Sequence, residues 1–105
     1  MITLEQLRKL CHDDTIALTQ HLTLRCEERG IVFEDIKAAI SSGEIIEQYP
    51  DDYPYPSCLV HHQLCDNKYL HVVVGLGDVR LWVITTYHPD DDKWESDGKT
   101  RKAGI

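Results

Sequence analysis

The sequence has no apolar run near the ~20 residues that a membrane span requires, because His71 and Gly75 interrupt the best candidate, Leu70 to Leu76. Met1 to Leu10 lack the basic stretch followed by an apolar one that marks a secretory signal, so a cytoplasmic protein without membrane contact is expected. No CxxC occurs. Cys11, Cys26, Cys58 and Cys65 are irregularly spaced, which points to reduced thiols packed as small apolar side chains rather than to disulfides. A basic surplus is also missing. The 11 Lys plus Arg stand against 18 Asp plus Glu, and the net charge of −7 excludes broad affinity for nucleic acid or membranes while leaving room for a local basic patch. There is no internal repeat and no GxSxG, HExxH or P-loop. Gly75-x-Gly77 precedes a strand, not a helix, and so is no nucleotide fingerprint.

What remains is a chain of 105 residues that is 42% hydrophobic, enough for one ordered domain over residues 1–105. The first forty-odd residues read as helix. Thr3 caps a short helix from Leu4 to about Cys11, a second runs from about Thr19 to Arg29 and stops at Gly30, and a third runs from about Phe33 to Ser42 before Gly43. From residue 44 the pattern changes. Strands are expected at Glu44–Tyr49, Ser57–Leu64, Tyr69–Leu76 and Val79–Tyr87, with a proline-rich loop at 50–56 and a hairpin at Gly77-Asp78. Residues 88–105 form a polar tail that Trp94 pins to the sheet. The fold class is α+β: two or three N-terminal helices on one face of a four-stranded antiparallel sheet.

On a helical wheel Leu18, His21, Leu22, Arg25 and Arg29 share an arc of roughly 100°, which predicts that one imidazole and two guanidinium groups point inward with the leucines. Buried arginine needs a carboxylate, a carbonyl or a bound anion. Two readings stay open: structural pairing, or a catalytic set. On the sheet, a two-residue turn at Gly77-Asp78 would place Tyr69, His71, Val73, Arg80, Trp82, Ile84 and Thr86 on one face, with Leu70, Val72, Val74, Leu81, Val83 and Thr85 on the core face. A bulge would swap these assignments.

Cys58-x2-His61-His62-x2-Cys65 has metal-like spacing. On a strand, however, Cys58 and His62 face one way while His61 and Cys65 face the other, so no complete site is expected from it. Asp90-Asp91-Asp92 lacks the EF-hand spacing and reads as a solvated turn. No metal or cofactor is expected.

Several motifs together resemble an uncharacterised family of small prokaryotic proteins. They are His21-x3-Arg25, Glu28-Arg29-Gly30-Ile31, Gly43-Glu44-Ile45-Ile46-Glu47, Tyr49-Pro50-Asp51-Asp52, Pro56-Ser57-Cys58-Leu59-Val60, Leu70-His71-Val72-Val73-Val74, Ile84-Thr85-x-Tyr87, Trp94-Glu95 and Lys99-Thr100-Arg101. The sequence departs from the family pattern at Val32, where a Ser or Thr cap is usual, at His61-His62, and at Gly98, where an aromatic is usual and which bears on how the tail docks. That family in turn is similar to the small RNases and toxins that include barnase, colicin nucleases and RelE-type toxins. The resemblance implies a toxin-like component of a toxin–antitoxin pair, with RNA as substrate and an antitoxin-like zinc-binding helix-turn-helix protein as partner.

Metal-independent RNA cleavage uses the neighbouring 2′-hydroxyl as nucleophile, and it needs a base, an acid and cations on the crowded phosphate. Imidazole suits the first two roles and guanidinium the third. His21, Arg25, Arg29 and His71 supply those groups. Tyr87 offers a hydrogen bond, and Arg80 and Arg101 are candidates for holding substrate phosphate. The alternative is a non-enzymatic protein–protein interaction domain of the same fold.

Overall fold

The computed structural model describes residues 1–65 and 68–102. Its elements are helix α1 (Leu4–Lys9), strand β1 (Ile16–Leu18), helices α2 (Gln20–Arg29) and α3 (Phe33–Ser42), and strands β2 (Glu44–Tyr49), β3 (Ser57–Gln63), β4 (Tyr69–Leu76) and β5 (Leu81–Tyr87). Local chemistry sets the helix ends. Thr3 and Gln6 form a reciprocal capping box at α1, and Thr19 Oγ1 accepts the Leu22 N–H at the start of α2. Gly30 closes α2 in the left-handed region at φ 68°. α3 starts at Val32 with no side-chain cap, and Glu34 and Asp35 in its first turn favour the positive end of the helix dipole.

The sheet corrects one expectation. It has five strands in the order β1-β5-β4-β3-β2, and β1 runs parallel to β5, so it is mixed rather than four-stranded and antiparallel. Three residues between a turn and a helix cap are too few to show alternation, and tertiary pairing, with Ile16 opposite Leu81, decides the matter. The four remaining strands form the expected meander.

Helices cover one face. Leu22, Cys26, Ile36, Ala39 and Ile40 pack on Cys58, Val60, Leu70, Val72, Val74, Leu81 and Val83 in one buried cluster, with α3 against β3 and β4. At Gly43, the C-terminal cap of α3, the backbone is crowded by its own helix and by β3. A Cβ there would lie 2.5 Å from the Ala39 oxygen and 2.6 Å from the His61 oxygen, both backbone atoms that cannot yield cheaply. Gly43→Ala is therefore expected to cost about 1–3 kcal/mol, read as a lowered urea midpoint with an unchanged slope.

Candidate functional site

The α2 stripe does not point inward. His21, Arg25 and Arg29 are all exposed, and the buried α2 residues are Leu22 and Cys26. The wheel misplaced the face because Leu18 belongs to β1, and because the stripe left out Cys26, the true apolar partner of Leu22. At about 100° per residue, a stripe centred between Leu22 and Cys26 leaves His21 roughly 120° away and Arg25 roughly 80° away, whereas Arg29 is only roughly 40° off. Arg29 accordingly reaches back, and its Nη1 donates to the Thr86 carbonyl at 2.7 Å. That carbonyl lies past the end of the short β1, so Arg29 satisfies an edge acceptor that no strand pairs. Among the described residues His21 and Arg25 make no side-chain hydrogen bond or ion pair.

The polar groups that do converge lie on the other face of the sheet. Cross-strand pairing sets them in rows: Glu44, His61, His71 and Tyr87; then Glu47, Leu59, Val73 and Thr85; then Tyr49, Ser57, Gly75 and Trp82. Two bulges make these rows. In β2 the extra residue is Ile46, which brings Glu44 and Glu47 to the same face although they are three apart. In β5 the extra residue is Ile84. It turns Thr86 toward the core, where its hydroxyl donates to the His71 carbonyl at 2.8 Å, and turns Tyr87 toward the His71 side chain. The face expected for Thr85 and Thr86 is thus reversed. The hairpin turn also sits one residue later than expected, at Asp78-Val79, closing from Gly77 N–H to Arg80 O.

The tail covers the first of these rows. Trp94 and Arg101 pair as an antiparallel bridge around a turn at Asp97-Gly98, and the Asp97 carboxylate accepts the N–H groups of Lys99 and Thr100 at 3.0 Å each. This small hairpin lies on the sheet. The Trp94 ring meets His71 edge-on at 4.6 Å between centroids, the Gly98 carbonyl accepts from His71 Nε2 at 2.5 Å, and Lys99 pairs with Glu44 at 3.0 Å. Arg101 makes a two-point pair with Glu47, at 2.7 and 3.0 Å, while stacking 4.6 Å from the Trp94 ring. Trp94 thus pins the tail as the sequence suggested. Gly98 proves to be a condition of docking: a Cβ there would lie 2.6 Å from the Tyr69 ring.

Burial dominates the electrostatics. His71 has no solvent exposure, and its pKa falls from 6.5 to about 4, chiefly through desolvation, with the bond to Gly98 opposing. With Nε2–H given to Gly98, Nδ1 is left to accept from Tyr87 Oη at 3.4 Å. His61, whose Nδ1 sits 3.2 Å from His71 Nε2, is likewise lowered by burial. Glu47 is held below the usual carboxylate range by Arg101, and Tyr49, 2.5 Å from Glu47, is pushed up to about 12 by burial and that carboxylate. Sequence reasoning missed Glu47, Tyr49 and His61 as members of this cluster. One signal was present: strict alternation would have driven either Glu44 or Glu47 into the core, a cost that a bulge avoids.

Arg80 stands apart at the hairpin end, exposed, 5.7 Å from the Trp82 ring. An open cleft of about 1250 Å³ lies beside the tail, lined in part by Arg29, Asp35, His62, Lys68, Asp91 and Glu95. Its cations are outnumbered by its carboxylates, so it is not an anion trap. Among the described residues no three His, Cys, Asp or Glu side chains group to hold a metal ion. In β3, Cys58 and His62 take the helix face and His61 the other, while Cys65 lies beyond the strand. Among the described residues no helix is long and apolar enough to cross a membrane.

The chain is thus an α+β domain whose sheet carries helices on one face and its own tail on the other. The family model "Domain of unknown function (DUF4258)" matches residues 18–88, from the end of β1 through β5, and the chain belongs to that family. No curated protein and no solved structure matches it.

Proposed function

We propose that this domain acts through protein contacts, as the toxin-like member of a prokaryotic toxin–antitoxin pair whose partner is an antitoxin-like zinc-binding helix-turn-helix protein. The observation that carries this reading is the state of the outer sheet face: one end lies under the tail, and at the other Trp82 and Ile84 are 37% and 50% exposed. The cations assigned to phosphate do not gather. Arg29 is engaged by a carbonyl and Arg101 by Glu47, while His21 and Arg25 stand in solvent and do not line the cleft.

RNA cleavage is the second reading, and one observation favours it. Glu47, Arg101, Tyr49, His71 and Tyr87 share one face and supply a carboxylate base, a phosphate-binding cation and an imidazole acid. In this reading the tail must lift before RNA reaches His71.

Co-expression with the neighbouring gene, followed by co-purification and a growth assay, separates the two. The protein-binding reading expects a stable complex, no growth arrest from the domain alone and intact RNA. Growth arrest with RNA fragmentation, relieved by Glu47→Gln in a protein of unchanged circular dichroism, would establish the nuclease reading instead.

A further inference from the structure

We infer that the exposed Trp82–Ile84 patch of the outer sheet face docks a basic segment of a partner protein that carries apolar anchors. The inference rests on the protein-binding reading above, and adds to it the surface used and the chemistry of what it holds.

The surface is built from the end of the sheet that the tail leaves open. Trp82 is 37% exposed and Ile84 50%. Between them lies Gly75, where a Cβ would meet Ile84 Cδ1 at 3.6 Å, Trp82 Cβ at 3.8 Å and the Pro56 carbonyl at 3.8 Å. With no side chain at Gly75, the apolar groups on β5 run level into the 50–56 loop. Val79, in the hairpin turn, is 67% exposed.

The rim is acidic. Asp78 follows Gly77, whose Cβ position is 3.1 Å from Trp82 Nε1. On the other side Asp52 is hydrogen-bonded by Ser57 Oγ, and Ser57 is the cross-strand partner of Gly75, which fixes that carboxylate beside the patch. Asp51 adjoins it. Arg80, at the same hairpin end, lies over the indole, 5.7 Å from the ring centroid.

The covered end shows what this face accepts. The tail hairpin lays an indole on His71 and sets two cations, Lys99 and Arg101, on Glu44 and Glu47. The row of Glu47, Leu59, Val73 and Thr85 joins the covered end to the exposed one. The same pairing of apolar anchor and cation therefore continues toward Trp82, Ile84 and the three aspartates, now with no segment of the described chain over them. Phosphate backbones are repelled by this rim. A two-fold contact between copies would set Asp51, Asp52 and Asp78 of each against those of the other.

The test titrates the intact protein with an alternating lysine–leucine heptapeptide and with its glutamate–leucine counterpart. Trp82 is the exposed indole and Trp94 the buried one, so emission reports the docking. The lysine peptide is expected to shift the emission and to bind at least about tenfold more tightly than the glutamate peptide, a difference of ~1.4 kcal/mol that shrinks with salt. Ile84→Ser, half exposed and conservative of the fluorophore, is expected to weaken it about tenfold. Asp78→Lys, in an exposed turn, is expected to narrow or reverse the preference.

Equal affinity for both peptides, or unchanged binding by Ile84→Ser and Asp78→Lys, overturns the assignment. So does self-association of the peptide-free protein that Ile84→Ser abolishes, since the occupant is then a second copy. If the neighbouring gene product co-purifies equally with the parent protein and Ile84→Ser, this surface is wrong while the protein-binding reading stands. If it fails to bind the parent protein, that reading falls whatever the peptides do.

Discussion

Gly98→Ala releases the tail hairpin while leaving the helix-covered core folded. Two independent costs combine at this position. Its φ of 72° lies in the left-handed region, which costs an L-residue about 1–2 kcal/mol. The added methyl group would also meet the Tyr69 ring at 2.6 and 2.7 Å and His61 Cε1 at 3.1 Å, an overpacking worth about 1–3 kcal/mol. The Tyr69 ring lies tilted against His61 at 5.0 Å between centroids, so its displacement disturbs the His61–His71 contact. The expected total of about 2–5 kcal/mol falls on one local unit, the hairpin held by Trp94, the Gly98 carbonyl and the Arg101–Glu47 pair. Trp94, now 4% exposed, should enter water, with a red-shifted emission and new protease cleavage between residues 93 and 102. Gly30→Ala is the control: its φ is 68°, but a Cβ there meets nothing within 4 Å, so only the backbone cost applies. Equal losses for the two variants, or a Trp94 that stays buried in Gly98→Ala, would refute a latch at Gly98.

Helix ends and most strand ends were legible because they rest on local chemistry: Thr3, Thr19, Gly30 and Gly43 each act within a few residues of their own position. The candidate site was legible only in pieces. His71, Tyr87 and Arg101 were named from residue type, and the structure brings them together around Trp94 and Glu47. Their common face depends on bulges at Ile46 and Ile84, and a bulge is decided by cross-strand register, which no short window of sequence contains. The α2 stripe failed for a related reason. Leu18 looks like the first leucine of a helix until β5 claims it as a parallel partner of Val83, and the apolar face then turns from His21 and Arg25 toward Cys26. The departure from family pattern at Gly98 was informative, since it is the residue whose lack of a side chain lets the tail lie down.

Acidification should undo the same contact from the sheet side. His71 titrates near 6.5 in an unfolded chain and at about 4 in the folded one, because burial opposes the imidazolium. The unfolded chain therefore takes up the proton first. The stability that neutral His71 contributes is whole above about pH 6.5, and declines as pH falls toward about 4. The shift corresponds to a loss of about 3 kcal/mol across that window. His61 is displaced in the same direction and adds to the slope. The charged and titratable groups facing the pair do not reverse it: Glu47 favours the imidazolium, but Arg101 neutralises that carboxylate and itself opposes a second cation, and Tyr87 stays neutral, its pKa raised by burial. The Glu47–Arg101 pair follows in sequence, since a carboxylate held below its ordinary value loses its contribution only as pH falls through that lower value. Urea midpoints taken between about pH 7 and about pH 4.5 should fall steadily, with Trp94 emission shifting ahead of the helical signal. His71→Gln keeps a donor for the Gly98 carbonyl and removes the proton site, so its midpoints should decline much less over this range. A parent protein with flat midpoints, or a His71→Gln variant with an undiminished slope, would show that the buried imidazole does not hold the tail in a pH-dependent way.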